Sequence, residues 1–305
     1  MKHLTQLNYI NAVAKTGSIR KAAEQLNITS TALNRRILAL EEELGCPIFE
    51  RLPQGVRLNV AGELLIQHIR YSMADLSKVL SQIADLSGVR RGHVTIAGGT
   101  EVIGSFLPPL IADYRTQHKG VTFDILRRQT EAALRDLQDF SCDIALIFGS
   151  VPPTEYQVLA TIELDLVVAM RDGHPLQDKQ SLQLSDCQEY PVIMPSELSG
   201  ISDLLFHVQA KRGMKLHQII TSESYEFMAN YCRHEDAISF LLPLTNEDRS
   251  SFTSDIITKP FAARERLSGL LHVVQAKGRV LPVAAAKFAE NIVQNLNAKF
   301  PDRLN

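Results

Sequence analysis

The chain has 305 residues, 45 % of them hydrophobic and 22 % charged, a length that suits two or three folded units and a composition that excludes disordered and fibrous classes. No apolar run reaches the roughly 18 residues that a membrane-spanning helix needs, and the polar start MKHLTQLNYINAVAK lacks the apolar core of a secretory signal, so a cytoplasmic protein without a membrane partner is expected. The net charge of −2 is uneven: residues 1–60 hold eight basic and five acidic side chains, and that basic end is the candidate for a polyanion.

Leu4, Leu7, Ile10, Val13 and Ala14 recur at steps of three and four and predict a first helix with one apolar face. Gly17 supplies its C-cap and Ser18 an N-cap for a second helix, whose Ala22 and Ala23 allow another helix to approach closely. Thr29 caps a third, with Leu33, Ile37, Leu40 and Leu44 as its inward stripe. The other face carries Ser30, Thr31, Asn34 and Arg35 in its first two turns, groups that reach base edges and phosphates. No carboxylate lies in the first turn, so the positive end of the helix dipole is open to a phosphate oxygen. Glu41, Glu42 and Glu43 sit at the far end and are expected to point away from DNA. Gly45 and Pro47 stop the helix, and residues 48–59 read as a hairpin turning at Pro53-Gln54-Gly55, with Arg51 and Arg57 flanking the tip for backbone or minor-groove contact.

The stretch from Gly17 to Glu63, with its Gly-Ser-x-x-x-Ala-Ala-x-x-Leu start, Leu-Glu-Glu-Glu-Leu-Gly block, Pro-Ile-Phe-Glu-Arg link and Leu-x-x-Ala-Gly-Glu end, resembles the DNA-binding domain of LysR-type transcriptional regulators. The resemblance implies a winged helix-turn-helix over residues 1–60 and contacts to double-stranded DNA from Ser30, Thr31, Asn34, Arg35 and Arg57, with Thr29, Arg36 and Arg51 beside them. Departures fall on the reading face: Ser30 stands where the family commonly has Gln, and Thr31 and Asn34 where it commonly has Ser. An asparagine can pair bidentately with adenine, whereas a serine is much less selective, so an altered operator preference is expected at the base facing Asn34.

After Asn59, a plausible N-cap, Leu65, Ile69, Met73, Leu76, Leu80 and Ile83 form a narrow, near-heptad seam that seeks a partner helix. The resemblance implies a dimerisation helix over residues 61–90, pairing chains into a homodimer or homotetramer; packing on the chain's own C-terminal part is the alternative. Ser87, Gly88 and Gly92 read as a flexible junction. From His93 onward, short β-rich runs alternate with helices: strands at 93–97, 121–125, 143–148, 162–170, 191–195, 216–221, 237–242 and 270–275, helices from about Phe106, over 130–139 and from Pro282. This predicts α/β lobes with a mostly parallel sheet.

By resemblance, residues 91–305 form an effector-binding domain like a type 2 periplasmic binding protein, with lobe I at about 91–162 and 268–305 and lobe II at about 163–267. A small-molecule effector would sit between the lobes, against Thr100, Glu101, Gln129, Thr130, Phe148, Gly149, Ser196, Ser199 and Ser222, and RNA polymerase would be a further partner. The glycines common before the last strand of lobe II are replaced by His234-Glu235-Asp236, consecutive residues that cannot converge on one metal. Cys46, Cys142, Cys187 and Cys232 form no Cys-x-x-Cys pair, and reduced thiols are expected. No nucleophile triad, phosphate loop or dinucleotide fingerprint supports an enzyme, and no cofactor, catalytic residue or metal is expected. A regulator that has lost ligand response and a small-molecule-binding α/β protein remain as alternatives. Binding-site selection with Asn34→Ser should return a motif altered at one base; an unchanged motif would contradict the reading role of Asn34.

Overall fold

Three helices open the chain, α1 (Lys2–Thr16), α2 (Ile19–Gln25) and α3 (Ser30–Leu44). The computed structural model describes residues 2–86, 91–196, 199–243 and 255–301, which divide into two units at Leu80/Ser81. In the first unit Gly17 closes α1 with φ +61°, Ser18 accepts the Lys21 N–H, and the Thr29 hydroxyl accepts the Ala32 N–H at 3.2 Å, each cap satisfying an orphan donor or turn. Ala22 and Ala23 are buried beside Ile10, Val13, Leu33 and Ile37. The apolar stripe of α3 is shorter than expected: Leu40 is half-buried and Leu44 is 43 % exposed, because the helix outruns the core before Gly45 ends it at φ +71°.

β1 (Phe49–Leu52) and β2 (Gly55–Leu58) pair antiparallel with Glu50 opposite Arg57 and Arg51 opposite Val56. Their backbone lies against the α1–α2 turn: the Val56 N–H donates to the Gly17 carbonyl at 2.9 Å, and a Cβ on Gly55 would stand 2.3 Å from that same oxygen. α4 (Val60–Leu86) starts from Asn59, whose Oδ1 accepts the Gly62 N–H and whose Nδ2 donates to the Pro47 carbonyl, both at 2.8 Å.

The second unit continues with β3 (Arg91–Gly98), α5 (Thr100–Ser105), α6 (Leu107–Gln117), β4 (Gly120–Arg127), α7 (Thr130–Gln138), β5 (Ile144–Phe148) and β6 (Tyr156–Asp165). A second lobe follows, with β7 (Val167–Arg171), β8 (Pro191–Pro195), α8 (Gly200–Arg212), β9 (His217–Ser222), α9 (Tyr225–Tyr231), β10 (Ile238–Leu241) and β11 (Ile256–Pro260). The chain then returns as β12 (Ser268–Ala276) and α10 (Val283–Lys299). The sheets run β4-β3-β5-β12-β6 and β11-β7-β10-β8-β9.

Both sheets are mixed rather than mostly parallel, since β12 runs antiparallel to β5 and β6, and β7 antiparallel to β10 and β11. The run expected as one strand over 162–170 breaks at Leu166, where the chain passes between lobes and the Leu166 N–H donates to the Leu267 carbonyl at 2.8 Å. Gly92 is no junction: it lies inside β3, where a Cβ would stand 2.4 Å from the Ala284 Cβ of α10. Ser87 and Gly88 lie outside the described residues.

Lobe I is fastened by Arg279, which donates to the Cys142 carbonyl at 2.7 Å and to Asp143 Oδ1 at 2.6 Å, with its guanidinium 4.9 Å from the Phe140 ring centroid. Asp143 Oδ2 in turn accepts the Thr95 N–H at 2.9 Å. The two side chains are 7 % and 10 % exposed, so removing one strands a desolvated charge, typically a loss of about 3–5 kcal/mol. Arg279→Ala should therefore lower the urea midpoint of the second unit's unfolding transition; an unmoved midpoint would show that this pair does not hold the lobe.

Candidate DNA interface and ligand cleft

The N-terminal end of α3 is polar and exposed. Ser30, Thr31 and Arg35 face solvent, no acid occupies the first turn, and the α3 core face of Leu33 and Ile37 fixes which side is presented. Thr29 is committed to its cap, and Arg36 is drawn toward α1, with its guanidinium 5.0 Å from the Tyr9 ring centroid. The acids at the other end do not simply turn away, because Glu41 Oε1 accepts the Ile48 and Phe49 N–H groups at 2.8 and 3.1 Å.

The two arginines of the hairpin differ in environment. Arg57 is ion-paired to Glu50 across the strands at 2.6 Å, and that hydrogen bond pushes its guanidinium further above its ordinary value. Arg51, on the opposite face of β1, donates to Asn34 Oδ1 at 3.0 Å. One lone pair of the oxygen that the expected adenine pairing would use is thus already engaged by the wing.

The seam expected on α4 is divided by the fold. Ile69 is fully buried in the core of its own unit, with Leu65 and Met73 packed against that core, so Ile69 is not available to a second chain. Leu76 is half-buried, whereas Leu80 and Ile83 are 48 % and 55 % exposed.

In the second unit a cleft of about 310 Å³ lies between the lobes. Thr100, Gln129, Thr130 and Phe148 reach it from lobe I, and Ser196, Ser199 and Ser222 from lobe II. Gly149 is not among the residues lining it, because the chain there turns at φ +117° and pairs its N–H with the Leu270 carbonyl. The side chain of Glu101 lies outside the described part of the chain. Phe148 forms an inner wall, held so closely that a Cβ on Gly200 would stand 2.3 Å from its carbonyl oxygen and a Cβ on Gly269 2.3 Å from its ring.

Arg127, Arg128, Glu223 and Tyr225 also line the cleft and were not anticipated. The available signal was the Arg127-Arg128-Gln129-Thr130 run at the carboxyl end of β4, where ligands of parallel strands bind. Arg128 is tied back within lobe I, to Asp136 at 2.7 Å. Arg127 and Gln129 instead meet Glu223 of lobe II, at 3.4 and 3.3 Å.

Within the His234-Glu235-Asp236 run, Asp236 holds Arg171 of β7 at 2.6 Å.

Comparison with known proteins covers nearly the whole chain. Residues 4–63 match the family described as "Bacterial regulatory helix-turn-helix protein, lysR family", and residues 87–297 match "LysR substrate binding domain". The RuBisCO operon transcriptional regulator of Allochromatium vinosum is 28 % identical over 296 residues, covering 95 % of each chain. In fold, the chain is similar to a variant of full-length OxyR from Pseudomonas aeruginosa, with a TM-score of 0.71 and 19 % identity over 95 % of this chain and 94 % of that one. It is also similar to full-length CbnR complexed with its target DNA, with a TM-score of 0.57 and 18 % identity over 96 % and 99 %.

Thiol chemistry is confined to one residue. Cys142, Cys187 and Cys232 are buried, and burial pushes each thiol up to about 12, which removes the nucleophilic thiolate at neutral pH. Cys46 is exposed. Iodoacetamide at pH 7.5 should alkylate Cys46 alone in the native protein; labelling of Cys187 or Cys232 by mass spectrometry would contradict the packing described.

Proposed function

The chain belongs to the LysR-type family of bacterial transcriptional regulators, which are DNA-binding proteins rather than enzymes, and from that premise we propose how its own residues read DNA and sense a ligand. Ser30, Thr31, Asn34 and Arg35 of α3 enter the major groove, with the open N-terminus of α3 on a phosphate, while Thr29 caps that end and Arg36 holds mid-helix to Tyr9 of α1. Arg57, already ion-paired to Glu50, adds little to non-specific affinity. The protein acts in the cytoplasm as a homo-oligomer, through the exposed distal part of α4 at Leu76, Leu80 and Ile83, and works on transcription together with RNA polymerase. Two-fold pairing implies two operator half-sites separated by whole helical turns. No helix among the described residues is long and apolar enough to cross a membrane.

The effector is a small organic anion bound between the lobes. The observation that carries this reading is the bridge of Arg127 and Gln129 to Glu223: a carboxylate of the protein occupies donors that a ligand carboxylate would take. Around it the lining is hydroxyl-rich, with Thr100, Thr130, Ser196, Ser199 and Ser222 to orient the remainder of the ligand and Phe148 as an apolar wall. The volume is at the small end of the roughly 300–1,000 Å³ typical of ligand pockets, which favours a compact metabolite. Ligand that replaces Glu223 changes what holds lobe I to lobe II, and its differential affinity for the two arrangements is the free energy that couples to DNA binding.

The magnitude expected of the bridge is set by its exposure. Both charged side chains are more than half exposed, so their attraction amounts to less than about 1 kcal/mol. Glu223→Gln should therefore tighten an anionic effector by up to roughly fivefold, while Arg127→Met abolishes its thermal shift. Screening the full chain by thermal shift against anionic, neutral and cationic metabolites tests this reading. Stabilisation by cations alone, or an affinity that ignores Glu223, would sink it.

A further inference from the structure

The contact between the wing and the reading helix has a chemical polarity that fixes more than a distance. Arginine carries five N–H donors and no acceptor, so the atom of the Asn34 amide facing Arg51 must be its oxygen, as observed at 3.0 Å. That oxygen has two lone pairs and Arg51 takes one of them, so Asn34 keeps its NH2 donors and a single lone pair, beside a guanidinium with further N–H donors. The Glu50 carboxylate lies on the opposite face of β1 and is engaged by Arg57, so it does not draw Arg51 away. Arg51 and Asn34 together therefore present several donors and a positive charge against one remaining lone pair.

Base edges in the major groove distinguish such a pair. Adenine shows one acceptor, N7, beside one donor, N6–H, and an asparagine that reads both needs its oxygen for N6–H. Guanine shows two adjacent acceptors, N7 and O6. We propose that Arg51 and Asn34 act as a donor-rich, cationic reading pair that selects guanine at the operator base facing Asn34, with Arg51 as the specificity-determining residue that orients the amide. This inference rests on the reading of the chain as a sequence-specific DNA-binding regulator and reverses the adenine preference expected from Asn34 alone.

The test is binding-site selection from a randomised duplex pool by the full-length protein and its Asn34→Ala, Arg51→Met, Arg51→Lys and Arg51→Met/Asn34→Ala variants, with thermal melting to show that each is folded. The base facing Asn34 is the one whose preference Asn34→Ala changes. Wild type should show guanine there. Arg51→Met should cut that preference roughly tenfold and move it toward adenine, as the guanidinium donors leave and both lone pairs of the Asn34 oxygen become available. Arg51→Lys, which keeps the charge and loses the fork, should retain affinity for unselected DNA yet lose part of the guanine preference. The double variant should be no less selective at that base than Asn34→Ala. Adenine in the wild-type motif, or an Arg51→Met variant that weakens binding to all sequences equally and leaves the motif intact, would overturn the pair and make Arg51 a phosphate contact. A pool with no enriched motif would instead overturn the sequence-specific reading, and the inference with it.

Discussion

Where the chain leaves the reading helix and enters the wing, the Glu41 carboxylate accepts the N–H groups of Ile48 and Phe49. Those two residues belong to the core of the first unit, so their backbone donors would otherwise be withdrawn from water without partners. The same few atoms serve on both sides. The Ile48 carbonyl accepts the Asn59 N–H, and Gly62 of α4 approaches so closely that any Cβ would stand 2.1 Å from that oxygen. One acidic side chain, one asparagine and one glycine thereby lock α3, the wing and α4 into a single geometry. The approach of Arg51 to Asn34, and with it the polarity of the DNA-reading surface, follows from that lock.

The second unit holds two lobes together across a cleft. Its lobes are joined at two crossings, near Leu166 and Leu267, where one backbone hydrogen bond ties the passing strands and Arg266 engages Glu163 and Asp165. Around the cleft the contacts are weaker and exposed, Arg127 and Gln129 to Glu223. By contrast, the buried Arg279–Asp143 pair secures lobe I internally. Rigid lobes with a polar, solvent-accessible bridge are what a ligand-sensitive element requires, because a metabolite can compete with an exposed ion pair and cannot compete with a desolvated one.

The N-terminal unit was the more legible in the sequence, since caps and apolar spacing there are local signals. Ser18, Thr29, Gly45 and Asn59 stand at element ends and behave as their chemistry dictates. What local pattern could not supply was partnership across distance. Glu41 reads as one of three acids pointing away from DNA, and Arg51 as a twin of Arg57, because neither the backbone donors of Ile48 and Phe49 nor the Asn34 oxygen can be assigned from spacing. The same limit explains the α4 seam, in which Ile69 has the period of a dimer contact but serves its own core. In the second unit, the break at Leu166 hid inside a continuous apolar run, and β11 carries too little alternation to be read as a strand. Arg127 and Glu223 are far apart in sequence and acquire meaning only when the lobes place them together.

The claim on which all of this turns is that one chain couples recognition of particular DNA sites to occupancy of a cleft by a small anion. Footprinting of the full-length protein on sheared genomic DNA, with and without a pool of anionic metabolites, measures that coupling directly. The account predicts discrete protected sites built from two related half-sites, whose occupancy or extent changes when the pool is added. Protection spread evenly along the DNA, weakening with salt and indifferent to the pool, would contradict it.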